Sequence, residues 1–166
     1  MKKLYCAYGS NLNLKQMAAR TTGANLVGVG KIFGYELVFR GISDSAYATI
    51  VEKEGSFVPV ALYELSEDGI DEKRLDSCEG YPFLYEKRDI TVDLGDRQVP
   101  AMVYVMEFKR ATRAALPSQS YFARIWEGYE ALGFDTEILK KALENTFKQF
   151  YYVDALNNRW SWTFFQ

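Results

Sequence analysis

The sequence predicts a mixed α+β fold of about six strands with three or four helices among them, and three observations support that prediction. Segments with alternating apolar residues recur between segments with helical spacing and capping residues along the 166 residues. Glycines interrupt residues 25–39, the longest strand-like segment, and kinked strands favour a strongly curved or closed sheet. Aromatic residues make up 16% of the chain, which indicates a β-rich core or an aromatic-lined pocket.

The first half of the chain contains four predicted strands and one short helix. Residues 3–8 alternate along the chain, and Gly9-Ser10-Asn11 ends this first strand. Asn13-Leu14-Lys15-Gln16 resembles a capping box that begins an amphipathic helix. Two further alternating segments, residues 46–52 and 57–65, follow the glycine-kinked strand. The early strand–helix–strand segment is compatible with a parallel crossover.

The middle of the chain combines a helix with a hairpin. Ser66, followed by two acidic residues, predicts a helix start with negative charge in the first turn. This helix is expected to end near Cys78, because a glycine and a proline follow closely. Residues 85–94 and 98–107 predict an antiparallel hairpin that turns at Gly95-Asp96.

Two helices and an aromatic tail follow the hairpin. Pro117-Ser118 begins a long helix that Gly133 ends, and Asp135 caps another helix that is predicted to run to about Asn145. No linker interrupts the chain, so we expect one domain over residues 1–166 with an aromatic extension from about residue 147. We expect this extension to pack over the domain or in a homodimer contact, because its side chains would otherwise form a large exposed patch. The aromatic residues of the extension are Phe147, Phe150, Tyr151, Tyr152, Trp160, Trp162, Phe164 and Phe165.

Charge and hydropathy exclude two classes of partner. The net charge is −2, and no Lys/Arg cluster is dense enough to follow a phosphate backbone, so the sequence predicts no nucleic-acid partner. No apolar run approaches the roughly 18 residues of a membrane span, and the N-terminal apolar segment is too short for a signal peptide. We therefore expect a cytoplasmic protein with no membrane partner.

The residue types that are rare or missing limit the chemistry. The sequence has no histidine and only two cysteines, Cys6 and Cys78. Without histidine, Ser-His-Asp catalysis, Cys-His catalysis and His-ligated metals are excluded in their usual forms, and two cysteines provide no disulfide framework. Catalysis must then depend on carboxylates, Lys, Tyr, Cys, hydroxyls or backbone amides, and we expect neither a cofactor nor a metal.

The first stretch that can carry chemistry is Tyr5-Cys6-Ala7-Tyr8-Gly9-Ser10-Asn11, where a strand leads through a turn into a helix. Backbone N–H groups at such a junction can form an anion or oxyanion site, and Gly9 lets a ligand approach the backbone closely. The same pattern also fits a plain turn in which Ser10 or Asn11 caps the helix.

The second stretch ends in a carboxylate. Glu79 lies at the predicted end of a helix, just before a Gly-Tyr-Pro turn. The helix dipole disfavours negative charge there, and partial burial would raise the pKa of the carboxyl, which suits an acid–base group. A solvated Glu at a helix end is the alternative, and spacing alone does not distinguish Glu79 from Glu52, Glu64 or Glu86.

The third stretch lies at the start of the first long C-terminal helix. Ser118 is expected to cap this helix, and Tyr121 either packs in the core or directs its hydroxyl into a site.

Together, three motifs resemble the γ-glutamylcyclotransferases and their AIG2-like relatives, in order and in approximate spacing, to about residue 145. They are Tyr8-Gly9-Ser10-Asn11-Leu12, Leu75-Asp76-x-x-Glu79-Gly80 and Pro117-Ser118-x-x-Tyr121. The resemblance implies a small mixed β-barrel flanked by helices, with Glu79 as the catalytic acid–base residue. It also implies a substrate site formed by Tyr5, Cys6, Ala7, Tyr8, Gly9, Ser10, Asn11 and Tyr121.

The reaction that this resemblance implies is an intramolecular aminolysis of a small γ-glutamyl substrate. The free α-amine attacks the γ-carbonyl, which yields 5-oxoproline and a released amine or amino acid. Because the nucleophile belongs to the substrate, no Ser or Cys nucleophile is needed, and one carboxylate can transfer both protons. Arg40 is one further option for binding the substrate α-carboxylate.

Three alternatives stay open at this point. The fold can act on γ-glutamylamines or carrier-bound γ-glutamyl groups instead of γ-glutamyl amino acids. The chain can be a non-catalytic AIG2-like domain that binds a small carboxylate metabolite, although an acid at Glu79 does not suit an anionic ligand. A thiol enzyme using Cys6 or Cys78 would lack the usual His partner.

Overall fold

The structure is a computed structural model that describes residues 2–42, 45–106 and 113–156, with side chains through Gln149. Its strands are β1 (Leu4–Ala7), β2 (Asn25–Ile42), β3 (Ser45–Glu64), β4 (Tyr85–Asp93), β5 (Gln98–Met106) and β6 (Arg113–Ala114). Its helices are α1 (Leu14–Arg20), α2 (Ile70–Glu79), α3 (Gln119–Leu132) and α4 (Thr136–Leu156), and a 3₁₀ turn spans Ser10–Leu12. No helix in this part of the chain is both long and apolar enough to cross a membrane.

Five of the strands close into a barrel. Their order is β3-β1-β5-β4-β2, and a second pairing between β2 and β3 closes the ring, while β6 extends β2 on its other edge. The pairs are antiparallel except for β1 and β5, which pair in parallel at Tyr5 and Met102. The predicted mixed α+β fold with a small barrel and flanking helices is confirmed.

The strand–helix–strand segment at the N-terminus crosses over one intervening strand. Both β1 and β2 run antiparallel to β3, which pairs with Leu4 through Glu64 and with Leu26 through Tyr63. The two strands are therefore parallel to one another, as expected of a crossover, but β3 lies between them.

One predicted strand break is absent. Residues 46–52 and 57–65 were expected to be two strands, but they form the single strand β3. Phe33 pairs with Phe57 and Tyr35 with Glu52, so residues 53–56 bulge opposite Gly34. Gly34 and Gly55 both have positive φ, at 81° and 78°, which lets the two long strands bend together without separating.

Helix α3 packs against the turn that follows β1, and this packing positions the candidate site. Ile125 and Tyr129 are fully buried on one face of α3. A Cβ on Gly128 would lie 2.7 Å from the Leu12 carbonyl carbon, so only glycine permits this approach. The side chain of Leu12 is completely buried there, which contributes roughly 1.5–3 kcal/mol relative to an exposed leucine.

The helix boundaries confirm some predictions and correct others. The Ser118 side chain caps α3, and Gly133 ends that helix in the left-handed conformation. Helix α2 begins at Ile70, four residues after the predicted start, because Ser66 instead exchanges hydrogen bonds with Asp71. Helix α4 extends beyond Asn145 to Leu156, since no glycine or proline follows to end it.

The expected packing of the aromatic extension stays a prediction. Phe147 is half-buried, whereas the side chains from Phe150 onward lie outside the described residues.

Candidate active site

A cavity opens where the end of β1, the end of α2 and the start of α3 meet. It encloses about 280 Å³ of space not filled by atoms, including its open mouth. Five of its lining residues are tyrosines, and one is a carboxylate. The lining consists of Tyr5, Tyr8, Gly9, Ser10, Asn11, Ala48, Glu79, Tyr85, Tyr104 and Tyr121.

Glu79 is the last residue of α2 and the carboxylate of this cavity. Gly80 follows in the left-handed conformation and ends the helix through hydrogen bonds from its N–H to the carbonyls of Asp76 and Ser77. The Glu79 Oε1 atom accepts a hydrogen bond from Asn11 Nδ2 at 3.1 Å and lies 3.4 Å from Arg20 Nη1. Only 16% of the side chain is exposed, so few water molecules can solvate the charge.

Burial raises the pKa of Glu79 above its ordinary value. The positive charge of Arg20 and the hydrogen bond from Asn11 oppose this shift without cancelling it. The carboxyl therefore holds a proton more readily than an exposed Glu does. A carboxyl tuned towards neutral pH is suited to both accepting and donating a proton in one reaction cycle.

Asn11 connects the turn after β1 to Glu79. Its Oδ1 accepts from Arg20 Nη1 at 2.9 Å, so its Nδ2 is the atom that donates to Glu79 and to Tyr5 Oη, the latter at 2.9 Å. Asn11 is itself only 3% exposed. Each polar atom of this amide therefore has a partner, which fixes the position of the carboxylate relative to the turn.

The turn after β1 provides backbone donors beside the carboxylate. Leu12 N–H and Asn13 N–H donate to the carbonyls of Gly9 and Ser10, as expected within a 3₁₀ turn. Within the described residues, the N–H groups of Ser10 and Asn11 have no acceptor. Free N–H groups beside a cavity can stabilise a developing negative charge on oxygen.

Three tyrosine hydroxyls bond to backbone atoms around the cavity. Tyr121 Oη accepts from Ala48 N at 3.0 Å, and Tyr85 Oη donates to Ala48 O at 2.6 Å. Tyr8 Oη donates to Tyr104 O at 2.7 Å. Burial raises the pKa of Tyr8, Tyr85 and Tyr121, so these phenols stay neutral.

The structure brings together most residues that the sequence placed in the site. Glu79 and Tyr121 line the cavity with Tyr5, Tyr8, Gly9, Ser10 and Asn11. Cys6 and Ala7 do not line it, because both side chains are fully buried in the core.

The two cysteines lie in different surroundings. Cys6 is fully buried, and burial raises the pKa of its thiol, which keeps the thiol protonated and unreactive. Cys78 is exposed on α2 and does not line the cavity. The expectation that both cysteines come near the pocket is therefore corrected, since neither side chain contributes to its wall.

Sequence reasoning did not assign a role to several residues of the site. Ala48, Tyr85 and Tyr104 come from strands that barrel closure brings together, and Arg20 comes from the last turn of α1. Arg20, rather than Arg40, is the cation beside Glu79. Arg40 lies on β2 and does not line the cavity. Among the described residues, no group of three or more Cys, Asp or Glu side chains converges to hold a metal ion.

Comparisons with known proteins agree with this architecture. A structure named gamma-glutamyl cyclotransferase matches with a TM-score of 0.75 and 22% identity over 86% of each chain. An uncharacterised protein from Homo sapiens has a TM-score of 0.74 and 24% identity over 85% of this chain and 86% of its own. A yeast gamma-glutamyl cyclotransferase described as specific to glutathione has a TM-score of 0.64 and 12% identity over 89% of this chain and 96% of its own. At these identities the likeness establishes the fold.

The family assignment comes from sequence. A comparison with curated proteins finds no match. The profile of one family covers residues 5–123, a range that includes the turn after β1, Glu79 and Tyr121. The chain belongs to the gamma-glutamyl cyclotransferase, AIG2-like family.

Proposed function

We propose that the protein converts a γ-glutamyl amino acid or γ-glutamyl amine into 5-oxoproline with release of the amine. The observation that carries the proposal is Glu79. It is a largely buried carboxyl with a raised pKa, held by Asn11 in a cavity that also presents backbone donors. The reaction needs one such proton carrier, because the nucleophile and the leaving group belong to the same substrate.

Glu79 serves first as a base and then as an acid. The ionised carboxylate takes a proton from the substrate α-ammonium, and the free amine forms a bond to the γ-carbonyl carbon. The tetrahedral intermediate then collapses as the bond from that carbon to the leaving nitrogen breaks. Glu79 returns its proton to the leaving nitrogen, so the carboxylate is regenerated and the ring product is 5-oxoproline.

The negative oxygen of the intermediate requires donors on the opposite wall. The N–H groups of Ser10 and Asn11 are placed on the same turn as the amide that positions Glu79. Donors of this kind typically lower the barrier by about 3–4 kcal/mol when they match the developing oxyanion. We assign the stabilisation of the oxyanion to these two groups.

The size of the cavity indicates which part of the substrate enters. Its volume of about 280 Å³ is at the lower end of the roughly 300–1,000 Å³ of small-molecule sites. A γ-glutamyl group fits such a space, whereas a larger leaving group extends through the mouth.

The proposal is tested by incubating the purified protein with a panel of γ-glutamyl dipeptides and γ-glutamylamines and measuring 5-oxoproline. We expect turnover of at least one class, and the preferred class identifies the leaving group. Turnover is also expected to survive prolonged chelation, because the reaction needs no Lewis acid. Saturable binding of these compounds without any product would instead identify a non-catalytic binding domain and contradict the proposal.

A further inference from the structure

The tyrosine hydroxyls of the cavity are fixed in two opposite orientations by their partners. A backbone carbonyl can only accept a hydrogen bond, so Tyr8 and Tyr85 must direct their protons to the carbonyls of Tyr104 and Ala48. Their oxygen lone pairs are then the atoms available to a ligand. A phenol whose proton is already committed acts towards a ligand as an acceptor only.

Tyr5 and Tyr121 have the reverse arrangement. A backbone N–H can only donate, so Tyr121 Oη accepts from Ala48 N, and its own proton is directed towards Ser10 or the cavity. Tyr5 Oη accepts from Asn11 Nδ2, whose identity is fixed by Arg20 on the other amide atom. These two hydroxyls therefore keep a proton that can be donated.

Both backbone groups of Ala48 take part in this pattern. At Ala48 the N–H donates to one tyrosine, Tyr121, and the carbonyl accepts from another, Tyr85. The polarity of each hydroxyl is thus set by the strand backbone and does not depend on a flexible side chain. Tyr8 and Tyr85 are each 5% exposed, so water competes little for their lone pairs.

We infer that Tyr8 and Tyr85 select ligands that carry a free α-ammonium group, by accepting two of its three N–H hydrogen bonds while Glu79 accepts the third. An ammonium carries three donors and no acceptor, which matches three inward acceptors on one cavity wall. The same wall leaves an acceptor unpaired when the amine is missing or acylated. The inference rests on the proposed function, because it names how this site distinguishes γ-glutamyl groups from other acyl groups.

The arrangement also favours the reaction. Hydrogen bonds to Tyr8 and Tyr85 hold the nitrogen while Glu79 removes its third proton. The amine that results is already directed by two fixed acceptors. These tyrosines are thus substrate-selecting residues, and the proton itself passes only to the carboxylate.

The test compares two small probes that differ only in the α-amino group, L-glutamine and glutaramate. Dissociation constants are measured by NMR titration for the wild type and for Tyr8→Phe, Tyr85→Phe, Tyr121→Phe and Tyr129→Phe. Each hydrogen bond to a charged group typically changes affinity by about tenfold or more, so we expect wild type to prefer L-glutamine by at least that factor. Tyr8→Phe and Tyr85→Phe should each lose most of this preference.

The controls separate selection from general damage. Tyr121→Phe removes a donor and should leave the preference for L-glutamine intact. Tyr129→Phe changes a buried tyrosine outside the cavity, and it should keep both affinities. The ratio of the two affinities within one folded variant does not depend on its stability, and the wild-type ratio decides the matter if a variant fails to fold.

The outcomes distinguish this inference from the proposed function. Equal affinity of wild type for the two probes, or an unchanged preference in both Tyr8→Phe and Tyr85→Phe, would overturn the inference even if 5-oxoproline is produced. A preference that these variants abolish, in a protein that produces no 5-oxoproline from any compound of the panel, would support the inference and overturn the proposed function.

Discussion

The two ends of α2 each bury a carboxylate, and the two carboxylates have opposite electrostatics. Asp71 lies in the first turn and is completely buried, whereas Glu79 is the last residue and lines the cavity. Burial tends to raise the pKa of both groups. At Asp71, hydrogen bonds from the N–H groups of Thr22, Ser66 and Gly23 outweigh burial and hold the pKa below its usual value. At Glu79 burial prevails.

The difference follows from the number of donors and from the helix dipole. Asp71 accepts from three backbone N–H groups and from the Thr22 hydroxyl, and it stands at the positive end of α2. Glu79 has Asn11 and a longer contact to Arg20, and it stands at the negative end. A fully satisfied carboxylate stabilises the fold, while an incompletely satisfied one is available for proton transfer. Burial alone therefore does not identify a reactive acid.

The largest expected effect concerns turnover in Glu79→Gln. The amide nearly preserves shape but cannot accept the ammonium proton, so we expect kcat to fall by about 10²–10⁴-fold with a small change in KM. Steady-state kinetics with a substrate from the panel measures this. Glu64→Gln and Glu86→Gln are matched controls, because both residues form surface ion pairs, with Lys2 and Arg88. Near wild-type turnover in Glu79→Gln would assign the proton transfers to another group.

The next effect concerns stability in Asp71→Asn. The amide directs an NH₂ group at backbone donors, so we expect a loss of roughly 1–3 kcal/mol in the free energy of unfolding at neutral pH. Urea denaturation measures it, with the exposed Asp89→Asn as control. Folded Asp71→Asn should retain its kcat, because Asp71 lies outside the cavity. A stable variant with lost turnover would invert the comparison between the two carboxylates.

The pH dependence of that loss has a defined sign. The pKa of Asp71 is lower in the folded state than in the unfolded state, so its contribution is fully present above the unfolded pKa of about 3.9. The contribution disappears as pH falls through the folded pKa. We therefore expect wild type and Asp71→Asn to converge in stability under acid. A difference that persists unchanged below pH 3 would contradict the assignment.

The smallest expected effect concerns the cysteines. Cys6→Ala combined with Cys78→Ser should keep most of kcat, since neither thiol lines the cavity and burial keeps the Cys6 thiol protonated. Alanine is chosen at Cys6 because a buried hydroxyl without a partner is costly. Loss of activity in a folded double variant would support a thiol mechanism instead.

Local signals in the sequence predicted most elements of the fold. Asn13 and Ser118 cap α1 and α3 through side-chain oxygens, and Gly133 ends α3, as their residue types indicated. The break expected between residues 52 and 57 was wrong, because Gly55 fits a bulge as well as a turn. The choice depends on Gly34 in the neighbouring strand, which local sequence does not reveal.

The candidate site was predictable only in part, for a related reason. The motifs around Ser10 and Glu79 each occupy one short segment, so the resemblance to a family found them. The capping of Ala48 by Tyr85 and Tyr121 requires the closed barrel, since these residues are far apart in sequence. The contact of Arg20 with Glu79 likewise depends on how α1 packs beside α2.

The most direct test of the account is a ¹³C NMR titration of the side-chain carboxyl groups, with Glu79→Gln and Asp71→Asn used to assign the two signals. The account predicts a pKa for Glu79 above the ordinary value of about 4.3 and a pKa for Asp71 below about 3.9. It also predicts that Glu79→Gln is at least as stable as wild type at neutral pH, because the fold disfavours the ionised form of a carboxyl with a raised pKa. A Glu79 pKa at or below the ordinary value would contradict its role as the tuned proton carrier of the cavity.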